Sequence, residues 1–115
     1  MTTQRFETGP RMSQAVVHGD TVYLAGQVAD DPVPSVGDQT KQIVARIDRL
    51  LAAAGSDKSK MLSVTIYLAD ISTFAEMNAV WDPWVSQGNT PARATVEAKL
   101  ATPAHKVEIM VVAAK

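Results

Sequence analysis

The chain has no cysteine among its 115 residues, so disulfides, thiol nucleophiles and zinc–thiolate sites are excluded. Histidine is nearly absent: His18 and His105 are the only two, too few for a histidine-rich metal site. Positive charge is not in excess. With 11 Lys and Arg against 12 Asp and Glu, and a net charge of −1, the basic face that marks a nucleic-acid binder is missing. No apolar run approaches the roughly 20 residues that cross a bilayer, and Met1-Thr2-Thr3-Gln4-Arg5 lacks the apolar stretch of a secretory leader. There is no internal repeat, linker or low-complexity tract. The expectation is a single domain over residues 1–115, soluble and cytoplasmic, built on one core.

What the chain does carry is an alternation of strand and helix signals. Met12 to Val17 and Thr21 to Gly26 read as short strands joined at His18-Gly19-Asp20, where glycine accepts the positive φ of a tight turn. Ala29 to Gly37 holds Pro32, Pro34 and Gly37 and reads as a loop. A helix is expected from Val36 or Asp38 to Ala54, because Ile43, Ile47, Leu50, Leu51 and Ala54 recur at helical spacing and Gly55 supplies the stop. Lys58-Ser59-Lys60 is a solvated connection. Leu62 to Leu68 sets Leu62, Val64, Ile66 and Leu68 against Ser63, Thr65 and Tyr67, a strand with one apolar side.

Asp70 or Ser72 caps a second helix, in which Phe74, Met77, Trp81 and Trp84 form a core-packing stripe and Pro83 should kink the axis or begin a new turn. After a loop from Ser86 to Pro91, two strands are expected at Arg93 to Lys99 and Lys106 to Ala113. The order β-β-α-β-α-β-β predicts an α+β mixed sheet with both helices on one face. The other face would be left carrying Val, Ile, Met and Tyr, which argues that another subunit covers it.

Two charges stand out. In the last strand Val107, Ile109 and Val111 share one face, and Glu108 falls on the other beside Met110 and Val112. A carboxylate between apolar faces must be paired, shifted in pKa or used. Arg93, in Pro91-Ala92-Arg93-Ala94-Thr95-Val96, is its partner in type, a planar fork of donors suited to a carboxylate. A purely structural ion pair between the two is the competing reading. His105, after Pro103-Ala104, is expected to be exposed, and His18 is assigned no role.

Nearly the whole chain resembles the reactive intermediate deaminase (Rid) family, also called YjgF-type or L-PSP endoribonuclease-like proteins. The resemblance is carried by Ala25-Gly26-Gln27, Ala54-Gly55, Thr65-Ile66-Tyr67-Leu68-Ala69-Asp70, Phe74 with Asn78, Pro91-Ala92-Arg93 and Val107-Glu108-Ile109. Trp81-Asp82-Pro83-Trp84-Val85 and the Lys-Val-Glu-Ile ending are similar to the short YoaB-like subgroup. The resemblance implies a chorismate-mutase-like fold and a homotrimer with sites in clefts between subunits. It also implies cofactor-free, metal-free hydrolysis of 2-imino acids (2-aminoacrylate, 2-iminopropanoate, 2-iminobutanoate) to 2-keto acids and ammonia.

On this sequence the resemblance implies that Arg93 holds the substrate carboxylate and that Glu108 orients, and deprotonates, the attacking water. Gly26 would give a close backbone contact, and Asn78 falls near the pocket. Three positions depart from the deaminase pattern: Met12 stands where a pocket tyrosine is expected, Ala25 where a serine is, and Thr95 where a cysteine is. These changes point to a weaker or shifted 2-imino acid activity. The alternatives are a trimer that binds a 2-keto acid or similar carboxylate without turnover, and phosphodiester cleavage. The last ranks lowest, since no basic stripe and no histidine pair supplies its machinery.

Overall fold

The computed structural model describes residues Met1–Lys115. Six strands form one sheet: β1 (Thr3–Thr8), β2 (Ser13–His18), β3 (Thr21–Leu24), β4 (Met61–Leu68), β5 (Ala92–Glu97) and β6 (Val107–Ala114). Two helices, α1 (Val36–Ala53) and α2 (Phe74–Trp84), complete the domain. The spatial order is β1-β2-β3-β6-β4-β5. All neighbours are antiparallel except β4 and β5. That parallel pair is joined by the crossover through α2, which is what a parallel connection requires. The result is the α+β mixed sheet read from the sequence, with one strand more.

The additional strand is β1. Thr3-Gln4-Arg5-Phe6-Glu7-Thr8 holds a single apolar residue, Phe6, so it carries no alternation to read. It forms because it pairs along β2 from Thr3↔His18 to Thr8↔Ser13. Arg49 of α1 bonds Glu7 across 2.7 Å and pins the strand's end.

Helix α1 begins where the sequence placed it. Ser35 caps it by accepting from the Asp38 N–H at 3.1 Å, one of the orphan donors of a first turn. Ile43, Ile47, Leu50 and Leu51 are wholly buried beneath it. In front of α2, Asp70 caps a short 3-10 turn, Ile71–Thr73, by accepting from the Ser72 N–H. Pro83 sits in the last turn of α2, and the helix ends one residue later. Of the expected stripe, Met77 and Trp81 are buried, Trp84 is half-buried, and Phe74 is exposed.

The core lies between the helices and one sheet face, lined by Ala15, Val17, Val22, Leu24, Val64, Ile66, Val107, Ile109 and Val111. One strand position was misread. Leu62 is exposed and Met61 is buried in its stead. The β4–β6 register slips by one between Met61↔Ala113 and Ser63↔Val112, so Leu62 is the extra residue of a bulge. His105 also differs from expectation: it is half-buried, with Nε2 3.1 Å from the Ala29 carbonyl and Nδ1 2.6 Å from Thr102 Oγ1. The opposite sheet face is bare. Tyr23, Val96 and Met110 are 48%, 43% and 38% exposed there, an apolar surface of the kind that marks an association site. No helix is long and apolar enough to cross a membrane.

Candidate functional site

Two groups of residues stand on either side of the sheet. The first is built on β5. Parallel pairing sets Val64 against Arg93, Ile66 against Thr95 and Leu68 against Glu97, so Arg93 and Thr95 rise on the helix-bearing face. There Arg93 Nη1 donates to Asn78 Oδ1 at 2.8 Å. Its guanidinium carbon lies 5.4 Å from the centroid of the Trp81 ring and 5.7 Å from that of Phe74. Each such cation–aromatic contact is worth about 0.5–1 kcal/mol at an exposed site. The Asn78 bond and the two rings hold the fork still and leave its remaining N–H groups free for a carboxylate. Thr95, two residues on, buries its hydroxyl oxygen with no partner.

The second group lies on the bare face, around Glu108. Here the β3–β6 register slips: Tyr23 opposes Val112, yet Gln27 opposes Ile109. Four steps along one chain meet three along the other, a bulge that re-aims the backbone at Ala25 and Gly26. The Glu108 side chain occupies the space a side chain at 26 would need. A Cβ on Gly26 would stand 2.1 Å from Glu108 Oε2, far inside contact distance. Only glycine permits this approach. The Gly26 N–H makes no bond within the chain, so a free donor sits beside a half-buried carboxylate.

The bulge is locked by a buried side chain to which the sequence reading gives no role. Gln27 is 1% exposed, and its backbone exchanges bonds with Ile109 in both directions, at 2.8 and 3.0 Å. Its Nε2 donates to Gln14 Oε1 at 2.9 Å and to the Ala25 carbonyl at 3.0 Å. Its Oε1 accepts from Arg46 Nε at 3.0 Å, and Arg46 is held in turn by Asp30 at 2.6 Å. Every polar group of the amide is satisfied, as burial demands. A lone buried glutamine has no periodicity of its own, and Gln27 enters the sequence reading only as the last residue of Ala25-Gly26-Gln27, with no role attached.

Arg93 and Glu108 do not pair. The ion pairs are Lys41–Asp38, Arg46–Asp30 and Arg49–Glu7, and neither residue belongs to them. Arg93 projects from the helix side of edge strand β5, Glu108 from the bare side of β6, with β4 between. The structural ion pair weighed against function is therefore absent within one chain. Met12 is 47% exposed just ahead of β2, two residues before Gln14, whose carbonyl accepts from the Ala25 N–H at 2.9 Å. The six expected residues thus fall into two sets: Arg93, Asn78 and Thr95 on one side, Glu108, Gly26 and Met12 on the other. The single cavity, about 350 Å³ and lined by Ala69, Lys99 to Pro103 and His105, contains none of them. No cluster of three or more His, Asp or Glu side chains could hold a metal.

The sequence profile of the family described as "Endoribonuclease L-PSP" matches residues 2–115. The chain is 45% identical over 114 residues to a RutC family protein of Haemophilus influenzae, covering 98% of each. It is 44% identical to the RutC family protein YoaB of Escherichia coli, over 99% of each. A rat protein named 2-iminobutanoate/2-iminopropanoate deaminase is 35% identical over 107 residues, 88% of this chain and 77% of its own. Among solved structures, NMB1025 of Neisseria meningitidis, a member of the YjgF protein family, superposes with a TM-score of 0.97. Its identity is 47%, and the match spans 100% of this chain and 96% of that one.

Proposed function

Taking as premise that the chain belongs to the endoribonuclease L-PSP family of YjgF/Rid proteins, we propose that it is a cofactor-free 2-imino acid deaminase. The observation that carries this is the pairing of the Glu108 carboxylate with Gly26, whose unoccupied N–H lies beside it. A carboxylate poised next to a free donor can hold a water molecule and a carbonyl-like centre side by side. Hydrolysis of C=N needs such an acceptor for the proton of the attacking water. Arg93, fixed by Asn78 and two aromatic rings, grips the substrate carboxylate and fixes the plane of the reacting carbon.

The two halves meet only if one chain's Arg93 set faces another chain's Glu108 set. We therefore assign the protein to a homotrimer with three interfacial sites, the bare face being the surface covered. The name of the rat relative, a 2-iminobutanoate/2-iminopropanoate deaminase, supports a short-chain 2-imino acid as substrate.

A second reading is favoured by Met12, which brings an exposed thioether and no proton donor to the Glu108 side. On that reading the trimer holds a 2-keto acid without turning anything over. One experiment separates the two. A threonine or serine dehydratase generates the imine, semicarbazide competes for it, and keto acid formation is followed with and without the protein. Acceleration lost in both Arg93→Ala and Glu108→Gln, with 2-keto acid binding kept in Glu108→Gln, is the expected result. No acceleration by the wild type, with the carboxylate still bound, would replace the deaminase by the binding protein.

A further inference from the structure

Water addition to an imine moves two protons, one off the attacking water and one onto the nitrogen. As a carboxylate, Glu108 can take the first but has no proton to give for the second in the same step. The sheet register names what stands beside it. In the β4–β6 pair Tyr67 lies directly opposite Glu108, on the same bare face, where opposed Cβ atoms are about 4.5–5.5 Å apart. Glu108 leans towards β3 and Gly26, and Tyr67 stands on its other flank, on β4. Tyr67 is half-buried, and its hydroxyl bonds to nothing within the chain, although a buried or half-buried phenol ordinarily finds a partner.

Lys106, two residues before Glu108, is the other proton donor nearby, but its Nζ donates to the Pro103 carbonyl at 3.0 Å. Val96 flanks Tyr67 on β5, and Met110 and Ala94 flank Thr65. Thr65 is one step further along and bears an aliphatic hydroxyl, a much weaker acid than a phenol. Tyr23 opposes Val112, four residues along β6 from Glu108, or about 13 Å at the rise of an extended strand. Arg5 and His18 share this face but belong to the β1–β2 end of the sheet.

We infer that Tyr67 is the proton donor to the imine nitrogen, an assignment that rests on the deaminase reading. Water oxygen bonds to C2 and loses one proton to Glu108. The C=N π pair moves to nitrogen, which takes the Tyr67 proton, giving a neutral carbinolamine, a tyrosinate and a protonated Glu108. In the collapse, the carbinolamine hydroxyl returns its proton to Tyr67 as C=O forms. The C–N bond breaks, and the departing nitrogen takes the Glu108 proton and leaves as ammonia. Both side chains end as they began, so the cycle closes without a cofactor.

The test is Tyr67→Phe in the coupled deamination assay, beside Arg93→Ala, with 2-keto acid affinity and melting temperature measured on each. The substitution keeps the ring and removes one oxygen. It should lower kcat about 100-fold or more, leaving product affinity and melting temperature unchanged. Fluorotyrosine incorporated at residue 67 should keep turnover and move the alkaline limb of the kcat profile to lower pH, which a wall residue would not do. Full turnover by Tyr67→Phe, with Arg93→Ala inactive, overturns the proton-donor role and leaves the deaminase reading standing. A rise in KM alone would make Tyr67 a packing surface and also overturn it. A wild type without turnover overturns both.

Discussion

If the sheet parts Arg93 from Glu108, two dead variants should rescue one another. Arg93→Ala keeps the Gly26–Glu108 half, and Glu108→Gln keeps the Arg93–Asn78 half. In a cyclic trimer each site draws one half from each of two neighbouring subunits. When the variants are mixed one to one and assemble at random, the arginine-bearing side and the glutamate-bearing side are each intact half the time. About a quarter of all sites are then complete, and activity should return to about a quarter of wild type. In trimers purified through two different tags, so that both variants are present, about one site in three is complete. The assay is keto acid release after co-refolding, against each variant refolded alone. The restored sites should show wild-type KM, since each contains every native group. Recovery no greater than the sum of the separate variants would mean that one chain supplies both groups, and the argument from β4–β5 and β4–β6 register would be refuted.

Other consequences are equally direct. Gly26→Ala places a Cβ 2.1 Å from Glu108 Oε2, and ordinary contact begins near 3.4 Å, so the carboxylate must retreat by about 1.3 Å; displacements of that order cost roughly 100-fold in rate. The variant should stay folded by circular dichroism, because a half-buried glutamate has room to swing outward. Gln27→Leu removes the partner of Arg46 Nε, of Gln14 and of the Ala25 carbonyl. It should cost about 1–3 kcal/mol for each group left buried and unpaired, read from urea unfolding. Wild-type stability in Gln27→Leu would show that the network is idle.

Acid should loosen the chain at three points. Hydrogen bonds from Ser59 and Ser72 hold Asp57 and Asp70 below the ordinary aspartate value of 3.8, and the bond from Arg49 holds Glu7 below 4.5. A depressed folded-state pKa adds stability above the unfolded value, and that stability is lost as pH falls through the folded one. Melting temperature should therefore decline below about pH 4, and the decline should be shallower in Asp57→Asn with Asp70→Asn. Identical slopes would remove the linkage.

The parts of the fold that could be read in advance are those with a period. Ile43, Ile47, Leu50 and Leu51 announce α1, and Val107, Ile109 and Val111 announce β6 with Glu108 turned away from them. What escaped was whatever depends on a second strand. Phe6 alone cannot announce β1. The Leu62 bulge exists only as a mismatch with β6, and the slip that brings Gly26 against Glu108 exists only between Tyr23 and Gln27 on one strand and Val112 and Ile109 on the other. The separation of Arg93 from Glu108 belongs to the same class. In β5 the faces are Ala92, Ala94 and Val96 against Arg93, Thr95 and Glu97, and it is the polar set that lies on the helix side. Alternation cannot say which one meets α2 until the parallel register with β4 is known. Asn78 was placed near the pocket by resemblance alone; the bond to Arg93 gives that placement a cause.

The partition of charge by the sheet also governs how such a protein responds to dilution. A chain carrying both groups on one surface would work as a monomer, with rate proportional to concentration at any level. Here a lone chain presents an arginine on one face and a glutamate on the other, and on the proposed reading neither suffices alone. Complete sites on the proposed reading count assembled chains, so the rate should fall faster than linearly once the protein is diluted below its assembly constant. Abundance would then set specific activity as well as total activity, and a scarce chain would be a silent one.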